Sequence, residues 1–281
     1  MKETELIRNI KKKKTLKGIP DEMVIKEMTN YKIMMKKKNH DYSDREVFKY
    51  VRKKLYDAYG SYQTNRKRKR NLYLEELKLA KKENGDRIKN SEEMKDIRRR
   101  ILSTNVSTAE RLSAGYALTY ESVKKELDRP IRKVIDLGSG INPVAFCPTD
   151  FKDTQVLAYD INKEDIDFLN KYFKVIRLKG KAKILDLHDL EKVKKLPEAD
   201  VILLFKVIDP IEKKGHEFSE LLLKILKEKA MNIVVSFATK TLSNKPMNNP
   251  TRVWFERMTK RLGFKIIPVR TSNEVYYILK K

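Results

Sequence analysis

The sequence predicts an α/β protein: a seven-stranded sheet with helices on its faces, preceded by a basic, all-helical N-terminal domain. Three observations predict it. Beyond residue 130, seven short apolar runs alternate with amphipathic stretches, the pattern of a sheet covered by helices. The last two runs, FKIIPV and VYYILK, are separated only by Arg270 to Glu274, too little chain for a crossover helix, so the final strand is expected to run antiparallel. Before residue 105 the apolar residues recur at helical spacing, and residues 1–100 hold 31 Lys and Arg against 16 Asp and Glu, a net +15 of the chain's +25. The expected division is a helical domain over 1–104 and a sheet domain over 105–281.

In chain order, helical periodicity spans 21–38, 44–58, 65–84 and 91–102. Ser43-Asp44-Arg45-Glu46 has the spacing of a capping box, in which the Ser side chain and the Glu side chain each satisfy a free backbone N–H of the first turn. Ser107 to Glu110 has the same spacing and is expected to open a helix ending before Asp128. After Arg129-Pro130 come the strands VIDL, VLAYDI, AKILDL, ADVILLF and NIVVSF, then the closing pair. Trp254 and Phe255 fall in an amphipathic stretch expected to pack on the sheet. No internal repeat interrupts this order.

Composition restricts the function. With 40% hydrophobic residues the chain can bury a sizeable core, and a net charge of +25 calls for a polyanionic partner, most commonly nucleic acid, with a membrane surface as the rival. No apolar run approaches the roughly 18 residues of a membrane span, and MKETELIRNIKKKKTLKG lacks the apolar core of a signal peptide, so a soluble cytoplasmic protein is expected. One cysteine, Cys147, excludes an internal disulfide framework and a cysteine-rich zinc site. His40, His188 and His216 show no ligand spacing, so no metal is expected. Enrichment in Lys and Glu, with Gln63 and Gln155 the only glutamines, is the composition of a thermophile's protein. A monomer is the default expectation.

The stretch VIDLGSGINP, residues 134–143, carries the chemistry. Gly138, Ser139 and Gly140 follow a buried strand, where a glycine turn lets backbone amides approach a nucleotide-like ligand. Asp136 and Asn142 flank it. The next strand ends at Asp160-Ile161, with Asp160 20 residues past Gly140, where an acid accepts hydrogen bonds from ribose hydroxyls. The third strand ends in Asp186-Leu187, suited to an adenine amine and ring face. Acids are common at such turns, so the pattern rests on three strand ends agreeing. Position 143 is Pro rather than the third glycine of G-x-G-x-x-G, which argues against a pyrophosphate cradle. The pattern looks like S-adenosyl-L-methionine binding, which needs ribose and adenine contacts and a cation for the methionine carboxylate.

The carboxyl-terminal two-thirds, roughly 101–281, resembles the aminoglycoside-resistance 16S rRNA methyltransferases, which methylate guanine N7 in the decoding site. Ser107-Thr108-Ala109-Glu110-Arg111-Leu112, the Asp136 to Pro143 turn, LLFKVIDPIE at 203–212, VVSFATKTL at 234–242 and the closing SNEVYYILKK match that family in order. The resemblance implies a Rossmann-like class I methyltransferase sheet with S-adenosyl-L-methionine as cofactor. It also implies 16S rRNA, in the small subunit or the whole ribosome, as partner. Carried over residue by residue, it puts Arg111 on the cofactor carboxylate, Asp160 on the ribose and Asp186 near adenine. Lys206, after the fourth strand, would face cofactor or RNA, or else solvent.

At the target base the sequence departs from that family, which carries Leu-Pro where this chain has Asp209-Pro210. In amino methyltransferases an acidic or amide residue before proline at this strand end accepts from an exocyclic NH₂ and aims its lone pair at the methyl group. The expectation therefore leans toward a cytidine N4 amine, with guanine N7 as the alternative and a helix cap as the local reading of Asp209. Phe237 is read either as an aromatic wall of the base pocket or as a core residue, with Ser236 and Lys240 beside it. Cys147 lies away from the fourth-strand end and reads as a small buried hydrophobe rather than the nucleophile of cytosine C5 chemistry. The loop SNKPMNNPTR is expected to move on RNA binding. Phosphate contacts are expected from Lys36, Lys37 and Lys38, from Arg66, Lys67, Arg68, Lys69 and Arg70, and from Lys240, with Lys11 to Lys14 and Arg98 to Arg100 as further clusters. Tyr59, Tyr62 and Tyr73 are candidates to stack on RNA or to donate hydrogen bonds to it. The sequence thus reads as a housekeeping small-subunit rRNA base N-methyltransferase. A non-catalytic RNA-binding assembly factor would keep the same basic helices, whereas a small-molecule methyltransferase would leave them unexplained.

Overall fold

The computed structural model describes residues 2–85, 91–127, 130–146, 153–212, 215–241, 245–247 and 250–281. Cys147 lies outside the described residues. Five helices lead the chain: α1 (Glu3–Lys11), α2 (Asp21–Lys37), α3 (Asp44–Ala58), α4 (Arg70–Asn84) and α5 (Glu92–Leu102). The capping box expected at α3 is present, with Glu46 N–H donating to Ser43 Oγ and Ser43 N–H to Glu46 Oε2. The helix expected over 65–84 begins five residues late: Asn65–Lys69 forms a 3₁₀ turn, capped by the Thr64 side chain.

The second expected capping box does not form. The helix α6 (Val106–Ala114) is capped by Asn105, whose side chain accepts from Thr108 N–H, so Ser107 and Glu110 lie inside the helix. Gly115, in the left-handed region at φ 86°, ends α6 before α7 (Tyr116–Lys125), so the single helix expected here is two.

The sheet consists of β1 (Lys133–Leu137), β2 (Gln155–Asp160), β3 (Gly180–Ile184), β4 (Ala199–Phe205), β5 (Ala230–Ala238), β6 (Lys265–Arg270) and β7 (Glu274–Lys280), in the order β3-β2-β1-β4-β5-β7-β6. The first five pair in parallel, and β7 runs antiparallel between β5 and β6, as the short Arg270 to Glu274 connection requires. Strand β3 ends at Ile184, so Asp186 lies just beyond it. The remaining helices are α8 (Lys163–Ile176), α9 (Leu190–Lys194), α10 (Ile208–Ile211), α11 (Glu217–Lys227) and α12 (Val253–Arg261). Period-two alternation sorts the strands onto two faces. On β4, Val201, Leu203 and Phe205 join the core under α8, while Ile202 and Leu204 join the core under α11 and α12.

The helical region itself has two parts. Leu74, Leu77 and Ala80 of α4 and Met94, Ile97 and Ile101 of α5 belong to the same core as the sheet and α8, whereas α1 to α3 enclose a core of their own, closed by Ile161 from the end of β2. Burial thus ties α4 and α5 to the sheet, and a division at 104 separates helices from the layer they complete. The strand order reverses between β1 and β4, and at such a switch point the carboxyl ends of the strands open a crevice. No helix among the described residues is long and apolar enough to cross a membrane.

Candidate active site

One pocket of about 890 Å³, counted to its open mouth, occupies this crevice and falls within the ~300–1,000 Å³ range of small-molecule sites. All eleven residues expected at the cofactor line it: Arg111, Asp136, Gly138, Ser139, Gly140, Asn142, Asp160, Ile161, Asp186, Leu187 and Lys206. Pro210 joins them. Gly138 and Gly140 take left-handed φ values of 63° and 48°, and a Cβ on Gly138 would stand 2.5 Å from Val207 Cγ2, so the turn can lie against the β4 loop only as glycine.

The buried Asn142 explains the unusual Asn-Pro. Its Oδ1 accepts from Tyr116 Oη at 2.9 Å and Tyr120 Oη at 3.3 Å, and its Nδ2 donates to Asp136 Oδ2 at 2.8 Å. Asp136 is buried, which pushes its carboxyl up to about 7 despite that bond. At the end of β2, Asp160 Oδ2 accepts from Gly140 N–H and Oδ1 from Asn162 N–H, both at 2.8 Å. Burial and then the neighbouring Asp165 carboxylate push Asp160 up to about 6. Asp186 behaves oppositely. Burial opposes its charge, but hydrogen bonds from His188 and from Lys26 Nζ, 2.6 Å from Oδ2, hold it well below the usual carboxylate range.

A buried charge cluster forms the far wall. Glu274, at the start of β7, is fully buried and accepts from Ser236 Oγ at 2.8 Å. It pairs with Arg111 Nε at 2.9 Å and Lys206 Nζ at 3.1 Å, while Lys206 also pairs with Glu110. Lys206 is therefore a buried ion-pair partner, with 7% side-chain exposure, rather than a solvated lysine. Its left-handed φ of 57° is held by its N–H bond to the Ser236 carbonyl at 3.1 Å. The Arg111 guanidinium lies 4.9 Å from the centroid of the Phe205 ring, and its Nη2 is buried without a hydrogen-bond partner. An orphaned guanidinium nitrogen at a pocket wall fits a ligand carboxylate.

Three expectations at the base end do not match the geometry. Phe237 is 1% exposed and enclosed by Trp254, Phe255 and Tyr277, so its ring is a core ring and offers no free face. Asp209 is outside the pocket lining, with its side chain 45% exposed and ion-paired to Arg252 Nη2 at 2.9 Å. It does not cap α10 either, since Val207 is the capping position. Lys240 is half-buried outside the pocket, its backbone bridged to Pro246.

The basic clusters also divide. Lys36, Lys37, Lys38, Arg66, Arg68 and Lys69 are exposed. Arg70 is not a phosphate contact: it is buried, pairs with Asp165 of α8 and donates from Nε to Thr104 Oγ1 at 2.5 Å. Lys67 is tied to Glu164 at 2.9 Å and Asp165 at 3.3 Å. Arg98 donates to the Val144 and Ala145 carbonyls, and Arg100 pairs with Glu76 and Asp96. Lys11 pairs with Asp21 and Lys13 lies over the Tyr56 ring. Tyr73 is partly buried against the sheet core beneath Arg100.

Sequence reasoning missed the contribution of the helical region to this pocket. Tyr59, Tyr62 and Gln63 line it, as do Asn105 and Thr108. The local signal was Gly60: a Cβ there would meet the Tyr56 ring at 2.7 Å, which marks a tight, enclosed corner. Among the described residues no group of His, Cys, Asp and Glu is placed to hold a metal.

The fold and parts of the sequence recur in known proteins. A crystal structure of the 16S rRNA methyltransferase RmtF in complex with S-adenosyl-L-homocysteine matches with a TM-score of 0.74 at 19% identity, over 99% of this chain and 98% of that one. The structure of the 16S rRNA methylase ArmA is 26% identical, with a TM-score of 0.51, over 65% of this chain and 90% of that one. A 16S rRNA (guanine(1405)-N(7))-methyltransferase of Proteus mirabilis is 26% identical over 85% of this chain and 86% of its own length. For the enzyme of the same name in Frankia casuarinae the identity is 26% over 65% of this chain, and the match spans 63% of that protein's length. The model of the ribosomal RNA methyltransferase family FmrO matches residues 29–278, which takes in the glycine turn, the Arg111 to Glu274 cluster and all but the first turns of the helical region, and so this chain belongs to that family.

Proposed function

We propose that this protein methylates N7 of a guanine in 16S rRNA of the small ribosomal subunit, with S-adenosyl-L-methionine as methyl donor. The observation that carries this reading is the pocket at the β1/β4 switch point, with an orphaned Arg111 Nη2 at one wall and the Asp160 and Asp186 carboxylates at strand ends. Such a pocket fits a ligand with a carboxylate at one end and a ribose and adenine at the other. When bound, S-adenosyl-L-methionine supplies an electrophilic methyl group on a sulfonium.

In this reading Arg111 Nη2 takes the methionine carboxylate, Asp160 accepts from the ribose hydroxyls, and Asp186, kept ionised by Lys26 and His188, accepts from the adenine amine. Guanine N7 carries an in-plane lone pair and no proton. Its attack forms the N–CH₃ bond as the S–CH₃ bond breaks, the electron pair stays on sulfur, and no proton has to be removed. The chain's task is alignment and exclusion of water.

The choice of N7 over the cytidine N4 amine follows from Asp209. An amine target needs acceptors facing the base, whereas Asp209 is exposed and engaged by Arg252. The two guanine-N7 relatives support the same choice. Lys36 to Lys38, Arg66, Arg68 and Lys69 remain exposed to meet phosphates, where they give salt-dependent affinity rather than sequence recognition. The test is transfer of labelled methyl from S-adenosyl-L-methionine to unmodified small subunits, followed by digestion to nucleosides and mass spectrometry. Label in 7-methylguanosine is expected. Label in N4-methylcytidine would restore the Asp209 reading, and no label in RNA would refute the proposal as a whole.

A further inference from the structure

An aromatic side chain stands in the pocket without a packing partner. Three aromatic residues line the pocket: Tyr59, Tyr62 and Phe205. Phe205 is buried in the sheet core and covered by the Arg111 guanidinium, and Tyr59 packs against the core of α1 to α3. Tyr62 is half-buried and belongs to none of the three cores. Among the described residues its ring meets no other ring or cation, and its hydroxyl makes no hydrogen bond.

The backbone that carries Tyr62 is fixed from both sides. Gly60 before it is buried against Tyr56 and Leu16, with no room for a side chain. Gln63 after it forms an isolated antiparallel bridge with Asn105, and its Nε2 donates to Asp165 Oδ2 at 3.0 Å. Thr64 Oγ1 donates to the Thr104 carbonyl at 2.8 Å. A ring on a rigid corner, open on its faces, is preorganised for a ligand.

Its position says which ligand. The Gly60–Tyr62 turn packs against α6, which carries Glu110 and Arg111, and α3, which leads into the turn, packs against α10, which follows β4. Tyr62 thus stands between the two elements that flank the carboxyl end of β4, while Tyr59 lies toward Asp186 and Asp160. Burial, then the Asp209 and Glu110 carboxylates, push the Tyr62 hydroxyl up to about 12, so the ring stays neutral. A base that is to be methylated must leave its stack, and every base has a face that an aromatic ring can hold.

We propose that Tyr62, supplied by the N-terminal helical region, contacts the target base by stacking on it at the transfer end of the pocket. This rests on the methyltransferase reading above. The helical region then does more than grip phosphates: it completes the base site, and the sheet domain alone lacks the stacking face.

The experiment compares wild type with Tyr62→Phe, Tyr62→Leu and Tyr62→Ala. It measures methyl transfer to unmodified small subunits, S-adenosyl-L-homocysteine affinity by calorimetry, and thermal melting. Loss of one base–aromatic stack corresponds to about 5- to 150-fold. Tyr62→Ala and Tyr62→Leu are expected to lose that much in kcat/KM, and Tyr62→Phe to stay within about threefold. S-adenosyl-L-homocysteine affinity and melting are expected to stay at wild-type values throughout. Full activity in Tyr62→Ala, rescue by Tyr62→Leu, or a parallel loss of S-adenosyl-L-homocysteine affinity would each overturn the assignment. A wild-type protein that labels no small-subunit RNA would instead overturn the methyltransferase reading, and the wild-type assay shows it before any variant is made.

Discussion

Replacing Glu274 by Gln removes one charge from a cluster that is balanced as it stands. Arg111 and Lys206 are the cations, at 2% and 7% side-chain exposure, and Glu274 and Glu110 are the carboxylates, at 0% and 30%. Gln keeps the volume and can still accept from Ser236 Oγ, so the change isolates charge. It leaves Arg111 Nε without its partner at 2.9 Å and Lys206 with Glu110 alone. Breaking a buried ion pair from one side costs about 3–5 kcal/mol, because the surviving charge stays desolvated. At about 2.1 cal/mol/K per residue, a cooperatively unfolding chain of 281 residues would melt about 5–8 °C lower. Urea unfolding of wild type and Glu274→Gln at pH 7 measures the difference directly.

The same pair sets a pH dependence. Burial opposes the Glu274 charge, but Arg111 and Lys206 hold its carboxyl below the ordinary value of 4.5. A depressed folded-state value means that the unfolded chain binds the proton more readily. The contribution is therefore complete above the ordinary glutamate range and is lost as pH falls below it. Wild type should lose stability on acidification more steeply than Glu274→Gln. A Glu274→Gln protein within about 1 kcal/mol of wild type at pH 7 would show that solvent or rearrangement screens the cluster, and would refute the argument.

Three other outcomes follow from the site. Arg111→Met should weaken S-adenosyl-L-homocysteine binding by roughly 10- to 150-fold, the worth of a charge-assisted hydrogen bond to the carboxylate, as read by calorimetry. Asp209→Asn should keep the methyl-transfer rate within a few-fold and cost at most about 1 kcal/mol of stability, because its pair with Arg252 is half exposed; a hundredfold fall in rate would return Asp209 to the base. Asp160 is pushed up to about 6, and its ionised form is the acceptor for ribose hydroxyls, so S-adenosyl-L-homocysteine affinity should rise as pH increases through 6, and a flat profile from pH 5 to 8 would remove Asp160 from the ribose.

What could be read from the sequence were the features set by neighbours in the chain. Period-two apolar runs gave the seven strands, and the five-residue Arg270 to Glu274 connection dictated the antiparallel β7. The turn glycines and the acids at strand ends were legible because each strand carries its carboxyl end to the same edge of a parallel sheet, so residues far apart in sequence converge on one pocket. Tertiary packing decided the rest, because charge and aromaticity do not state what faces them. Arg70 read as one more basic residue in a run of five until α8 brought Asp165 against it. Phe237 and Tyr62 are both aromatic residues near turns, yet α12 buries the first and nothing packs on the second. Ser107 to Glu110 had a capping spacing, but Asn105 reached the free N–H first, at the point where Gln63 pins the chain. Helices α4 and α5 looked like part of a separate basic domain because their charges are local, whereas their apolar rows close the core of a sheet some 30 residues or more further along.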